Sequence, residues 1–231
     1  QNIIGKVTLY AMSEQGFKNL TKLSSLSYLK NNEIEDPSCD LNDLISNNKD
    51  LILLTGNYYN FFGKLFYANK IKDFEKIMIS LKDNFNDRIY FEIQRHGENE
   101  EKNFENHLLN YSKNFEIPLI ATQEVFYLYD DMYEAHDALT CIGKKEFVDD
   151  KNRFKYSDQH FIKKEDAIVK LYSDIPEALE NNYNFHLRFN YKPKKSKPIL
   201  PSIANDQKNS PEEVLIKEAK VGLENRIKNF I

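Results

Sequence analysis

The sequence predicts an α/β protein, a parallel sheet or barrel whose strands are covered by helices. Three observations carry this. Strand and helix patterns alternate from residue 6 to residue 143, the order expected of a parallel sheet or barrel. The stretch DLILLTG (50–56) is a continuous apolar run of strand length, as in a strand covered on both faces. Two later strand patterns run into polar groups, IYFEIQRHG (89–97) and PLIATQEVFY (118–127). Parallel sheets keep their chemistry at the carboxyl ends of the strands, so these polar ends mark a functional rim.

The elements follow in order. KVTLYA (6–11) is a strand. GFKNLTKLSSLSYL (16–29) is a helix with Phe17, Leu20, Leu23 and Leu26 on one face. After the DLILLTG strand come two helices, NFFGKLFYAN (60–69) and KDFEKIMISLKDNF (72–85), the second striped by Phe74, Ile77, Leu81 and Phe85. RIYFEIQ (88–94) is the third strand. EKNFENHLLNYSKNF (101–115) is a helix turning Phe104, Leu108 and Tyr111 inward. Residues 118–127 form the fourth strand, and DMYEAHDALTCIG (131–143) is a helix closed by Gly143. EDAIVKLYSDIPEALENNYNF (165–185) reads as two short helices broken at Pro176.

The texture then changes. YKPKKSKPILP (191–201), with three prolines and four lysines, reads as an extended linker. Ser210 as N-cap, Pro211 at the first helical position and Glu213 completing a capping box open a further helix. The expected division is a domain over 1–190, a linker over 191–209 and the first helix of a following unit over 210–231. The chain starts with Gln directly before a strand, which reads as a piece of a longer protein.

Composition narrows the function. The net charge is −4, and five of the 32 basic residues are arginine. Arginine is the residue of bidentate phosphate recognition, so its scarcity argues against a dedicated nucleic-acid groove. Cys39 and Cys141, far apart and outside any CxxC, fit a reducing cytoplasm. No run of apolar residues is long enough for a membrane span. No GxxxxGK(S/T) loop, GxSxG elbow or GxGxxG fingerprint occurs.

Glu92, His96, Glu124 and His136 are the candidates for a metal or acid–base cluster. Glu92 and His96 are four apart, an even separation that keeps both on one face of a strand and its exit. Glu124 approaches from the neighbouring strand and His136 from the helix after it. Mixed imidazole and carboxylate donors suit Zn, Mn or Fe, but a working site needs three or four that converge. His107, His160 and His186 read as surface or satisfied core residues. Glu98, Glu100 and Glu101 read as complements to a helix dipole.

EQGFKNLTKL, LILLTG, YFEIQRHG, PLIATQEVFY, EAHDALTCI and LYSDIPEALENN, in this order and spacing, resemble the PHP (polymerase and histidinol phosphatase) domain of bacterial DNA polymerase III alpha subunits. The helix after the linker resembles the entry into the polymerase core. The resemblance implies a distorted (β/α)7 barrel, here without its N-terminal strands. Intact members bind up to three metal ions and some act as phosphoesterases or 3′–5′ exonucleases; others keep the barrel as a platform. This chain departs from the metal-binding pattern. Lys6 stands where metal-binding relatives have His, Phe126 replaces another His, and Glu124 replaces Asp; the first two family motifs would lie upstream of Gln1. An ammonium ~4 Å from a dication is repelled by roughly 8 kcal/mol at an effective dielectric near 20.

The resemblance therefore implies a PHP domain without catalytic residues or metal of its own, with Glu92, His96, Glu124 and His136 as remnants of a pocket. It implies a parent DNA-directed DNA polymerase using Mg, with the rest of the polymerase core, a proofreading exonuclease subunit and DNA as partners, and no membrane. The alternative is a metal-dependent PHP phosphoesterase or 3′–5′ exonuclease acting in cis. An unrelated α/β barrel with a small-molecule pocket is a third reading.

Overall fold

A four-stranded sheet in the order β1-β2-β3-β4 organises the chain. The structure is a computed structural model that describes residues 3–30, 36–198 and 210–230. The strands are β1 (Thr8–Ala11), β2 (Leu51–Leu54), β3 (Ile89–Ile93) and β4 (Leu119–Ala121). β2–β3 and β3–β4 pair in parallel, Leu53 opposite Ile89 and Glu92 opposite Ile120. The helices are α1 (Glu14–Leu29), α2 (Leu41–Ser46), α3 (Phe61–Tyr67), α4 (Ile71–Phe85), α5 (Glu101–Phe115), α6 (Tyr133–Lys144), α7 (Glu165–Leu171), α8 (Pro176–Phe185) and α9 (Pro211–Phe230). None of the helices is long and apolar enough to cross a membrane, among the described residues.

The mixed α/β architecture holds, with two corrections to the strands. First, β1 runs antiparallel to β2, Thr8 facing Leu54 and Ala11 facing Leu51. The cause is α2, which the sequence reading left out. The chain leaves β1 along α1 and returns by the segment that carries α2, entering β2 at the end where it left β1. Asp40 and Asp43 form a capping box that starts α2. Ser13 Oγ donates to Asp50 Oδ2 at 2.7 Å, tying the exit of β1 to the entrance of β2. Second, β4 ends at Ala121, not at residue 127. Beyond it, among the described residues, Tyr127 bridges in parallel to Phe161. Among the described residues the sheet stays open and does not close into a seven-stranded barrel.

The outer edge of β4 is covered by α8. Asn181 Nδ2 donates to the Leu119 carbonyl and Asn182 Nδ2 to that of Ala121, each at 2.7 Å. Two amide side chains thus satisfy backbone acceptors that an edge strand leaves open. The expected break at Pro176 is there: α7 ends at Leu171 and α8 begins at Pro176. The proline stands at the first position of α8, where its missing N–H costs nothing.

α6 ends differently from the expectation. Gly143 lies inside the helix, and Lys145 adopts the left-handed conformation at φ 59. Glu146 N–H donates to the Cys141 carbonyl and Lys145 N–H to that of Ile142, the paired bonds of a Schellman cap. The hydrogen bonds fix the cap, and lysine accepts the strain.

The large core lies on one face of the sheet, where Leu51, Leu53, Ile89, Phe91 and Ile93 meet Phe62, Phe74, Met78, Leu81, Phe85, Phe104 and Leu108 of α3, α4 and α5. Tyr111 of α5 is only partly buried against it. A smaller cluster of Ile52, Leu54, Tyr90 and Ile120 occupies the other face, under Met12, Phe185 and Phe189.

The chain divides into two compact units, Gln1–Lys192 and Pro193–Ile231. In the second, α9 begins as the sequence predicts: the Ser210 hydroxyl accepts from Glu213 N–H at 3.3 Å, and the Glu213 carboxylate accepts from Ser210 N–H at 2.9 Å. Most of the linker expected over 191–209 lies outside the described residues.

Candidate functional site at the carboxyl rim of the sheet

Side chains alternate across a strand, so Glu92, two residues after Tyr90, shares the face of Ile52, Leu54 and Ile120. It is 6% exposed. One carboxylate oxygen accepts from Gly56 N–H at 3.1 Å; the other accepts from Gln94 Nε2 at 3.1 Å and from the Thr122 hydroxyl at 2.5 Å. Gly56 lies two residues past β2 at φ +80, and a Cβ there would run into Asn60. The turn it allows aims its N–H at Glu92. Burial pushes the Glu92 carboxyl above the ordinary carboxylate range, while the three donors pull it back.

His96 follows on the exit of β3, before Gly97 turns the chain at φ +76. It is 1% exposed. Its Nδ1 lies 3.0 Å from Glu101 Oε1, and its backbone N–H donates to the same carboxylate at 2.7 and 2.9 Å. Its Nε2 accepts from Glu124 N–H at 3.1 Å. A ring that accepts at Nε2 donates at Nδ1, so its single lone pair is already engaged.

The Glu124 side chain accepts from the Tyr59 hydroxyl. Burial raises its carboxyl, opposed by the charges of His160 and Lys6. Lys6 reaches this rim because β1 is antiparallel: residues before Thr8 lie beside the carboxyl end of β2, and the Lys6 carbonyl accepts from Phe61 N–H at 3.1 Å.

His160 is a satisfied core residue, one of the two alternatives the sequence left open, but nothing in the sequence placed it at this site. It is 1% exposed and stacks on His96, centroids 4.1 Å apart and planes 3° apart. Its Nδ1 lies 3.2 Å from the Glu124 carbonyl oxygen and its Nε2 3.5 Å from Glu98 Oε1. Phe126 stacks next at 4.8 Å and 21°, and His136 on Phe126 at 5.0 Å and 6°. Four rings thus form one column: His96, His160, Phe126, His136. Burial lowers the His136 imidazole, His160 adds to that, and Asp137 opposes it. No spacing in the sequence announces His160. The backbone brings it in, Phe126 N–H donating to its carbonyl at 2.8 Å and Ile162 N–H to that of Tyr127 at 3.2 Å.

The acidic run after β3 is also more than a complement to a helix dipole. Glu101, the first residue of α5, is 9% exposed and ties down His96. Glu98 accepts from the Tyr58 hydroxyl and from Ser157 N–H. The His160 bond first, then Tyr58 and Ser157, hold the Glu98 carboxyl below its ordinary value against burial. Tyr58 and Tyr59 follow β2 at the same rim, and that position is the signal that would have flagged them. Arg95, between Gln94 and His96, bonds Glu105, Asp174 and the Leu171 carbonyl and lies over the Tyr172 ring at 5.1 Å.

The rim therefore joins His96 to Glu124 and reaches His136 through the ring column, while Glu92 bonds Gly56, Gln94 and Thr122. Among the described residues, no three His, Cys, Asp or Glu side chains are arranged to hold a metal ion. The donor set does not fit one either: His96 has no free lone pair, Phe126 has none to give, and the Lys6 charge acts on Glu124. The cavity beneath, lined by Asn57, Tyr58, Glu92, Gln94 and Glu101 among others, measures about 10 Å³, near the room one water needs.

Comparison with known proteins gives the family. The PHP domain family matches residues 3–96. Over 222 residues the chain is 33% identical to the DNA polymerase III subunit alpha of Caulobacter vibrioides, covering 96% of this chain and 19% of that protein. It is 33% identical to that of Rickettsia bellii over 224 residues and 28% identical to that of Vibrio cholerae over 223, with the same coverage. The chain thus spans 19% of the length of these relatives.

Proposed function

We propose, for a chain that is a PHP-domain relative of DNA polymerase III alpha subunits, a role as a non-catalytic scaffold within such a polymerase. In this reading the whole protein extends DNA from deoxynucleoside triphosphates with Mg in the cytoplasm, and the aspartates for that chemistry lie outside these residues. The PHP unit braces the polymerase core and docks a proofreading exonuclease subunit.

One observation carries the reading. The atoms that would bind a catalytic ion are engaged with one another: Glu124 N–H occupies His96 Nε2, Tyr59 holds the Glu124 carboxylate, and Gly56, Gln94 and Thr122 surround Glu92. A general base or metal ligand needs a free lone pair aimed at a reacting atom.

The test is a 3′-exonuclease assay on the full-length polymerase with its own PHP unit, with and without chelator. The scaffold reading expects no chelator-sensitive excision assignable to this unit. Excision abolished by EDTA and by Glu92→Gln, with polymerisation intact in the variant, favours the second reading, a metal-dependent phosphoesterase acting in cis. What speaks for that reading is the survival of Glu92 and His96 as buried residues, with His96 bonded to Glu124.

A further inference from the structure

Glu98 and Glu124 bring two carboxylates to His160, and carboxylates so placed need donors or a cation. We infer that Tyr58 and Tyr59 hold this rim in place of a bound cation, so that the pocket is complete without an ion.

The two tyrosines are consecutive, yet their hydroxyls serve different carboxylates, Tyr58 donating to Glu98 and Tyr59 to Glu124. Their rings meet edge to face, centroids 5.1 Å apart at 84°, so the side chains diverge from one loop toward two sides of the rim. Burial and the Glu98 bond raise the Tyr58 phenol, which keeps it a donor. Lys6 supplies the positive charge felt by Glu124. Glu98 is held a second time by Ser157 N–H at 3.3 Å, and Glu92 takes its three donors from Gly56, Gln94 and Thr122. A cation entering here must displace a phenol from each carboxylate, strip the Glu124 amide from His96 Nε2 and approach an ammonium group. Each displaced donor would be left without a partner in a poorly solvated place.

This inference concerns what holds the pocket and stands whether or not the unit is catalytic. A pocket could be held by an ion and still be inert, so the exonuclease assay and the test below fail separately.

The test measures metal content of the purified chain by mass spectrometry and its melting temperature with EDTA, Zn²⁺ or Mn²⁺. Tyr58→Phe and Tyr59→Phe are measured beside it. The expected result is far less than one equivalent of metal and a melting temperature unmoved by chelator or either ion. Each Phe variant should melt lower by roughly 3–8 °C, the scale of one lost hydrogen bond to a charged acceptor in a chain of this size. If a variant fails to fold, the chelator and metal arms on the unaltered chain still decide. Near-stoichiometric metal, a melting point lowered by EDTA or raised by Zn²⁺ or Mn²⁺, or Phe variants as stable as the parent would each overturn the inference.

Discussion

The imidazoles of His96 and His160 lie face to face, 4.1 Å apart and 3° from parallel. One sits at the exit of a strand and the other on a loop 64 residues later, so the stack joins two parts of the chain that share no regular element. His160→Phe keeps a flat ring but removes the contacts to the Glu124 carbonyl and to Glu98. It should cost about 1–3 kcal/mol. His160→Ala also removes the ring and should cost roughly 1–2 kcal/mol more. Urea unfolding midpoints check the order; equal midpoints for all three proteins would count against the column as a structural element.

The pH dependence of stability should carry opposite contributions from Glu98 and Glu92, with Glu124 acting in the same sense as Glu92. Glu98 is depressed in the folded state, so its contribution is fully present above the ordinary carboxylate pKa of 4.5 and is lost as pH falls through the lower folded value. Glu92 is raised, so the folded state holds its proton longer than the unfolded state does. Stability from that group therefore falls as pH climbs from 4.5 to the raised folded value, and stays reduced above it. Glu92→Gln should remove that fall. Chemical denaturation at a series of pH values between about 4 and 8 reads the slope, and an unchanged slope in the variant assigns it elsewhere.

Arg95→Lys should destabilise the chain by about 2–4 kcal/mol, although the charge is kept. The guanidinium reaches Glu105 and Asp174 with two nitrogens each and also bonds the Leu171 carbonyl. An ammonium cannot span all three. Thermal and urea unfolding measure the loss, and a lysine variant of parental stability would contradict this account of the clamp.

Removing the amides that cover β4 should expose it. Asn181→Ala or Asn182→Ala frees a strand-edge carbonyl, each at a cost of about 1–3 kcal/mol. Amide exchange along β4 and light scattering on warming are the readouts. The double variant should exchange faster and aggregate earlier, because an uncovered edge recruits other strands.

Much of the fold was legible in the residues because burial leaves a period. LILL and IYFEI were readable as covered strands, and the sequence boundaries of α5 match the structure to the residue. Direction was not legible, since an apolar run reads the same whichever way its neighbour points; the six-residue α2, capped by Asp40, decided it. At the site, Glu92, His96 and Glu124 could be found because they end strand patterns. His160, Glu98 and Glu101 could not, since what makes them matter is a stack and hydrogen bonds between segments that periodicity does not connect. His107, read as a surface or satisfied residue, sits among Phe66, Phe74 and Tyr111, where burial lowers its imidazole.

The heading of the first strand has a consequence for evolution at position 6. Had that strand run the same way as its neighbour, the amine would sit at the far end of the sheet, and its replacement by any other residue would be neutral for the acids at the opposite end. Because the strand doubles back, a single codon change there alters the charge felt some 118 positions downstream, at Glu124.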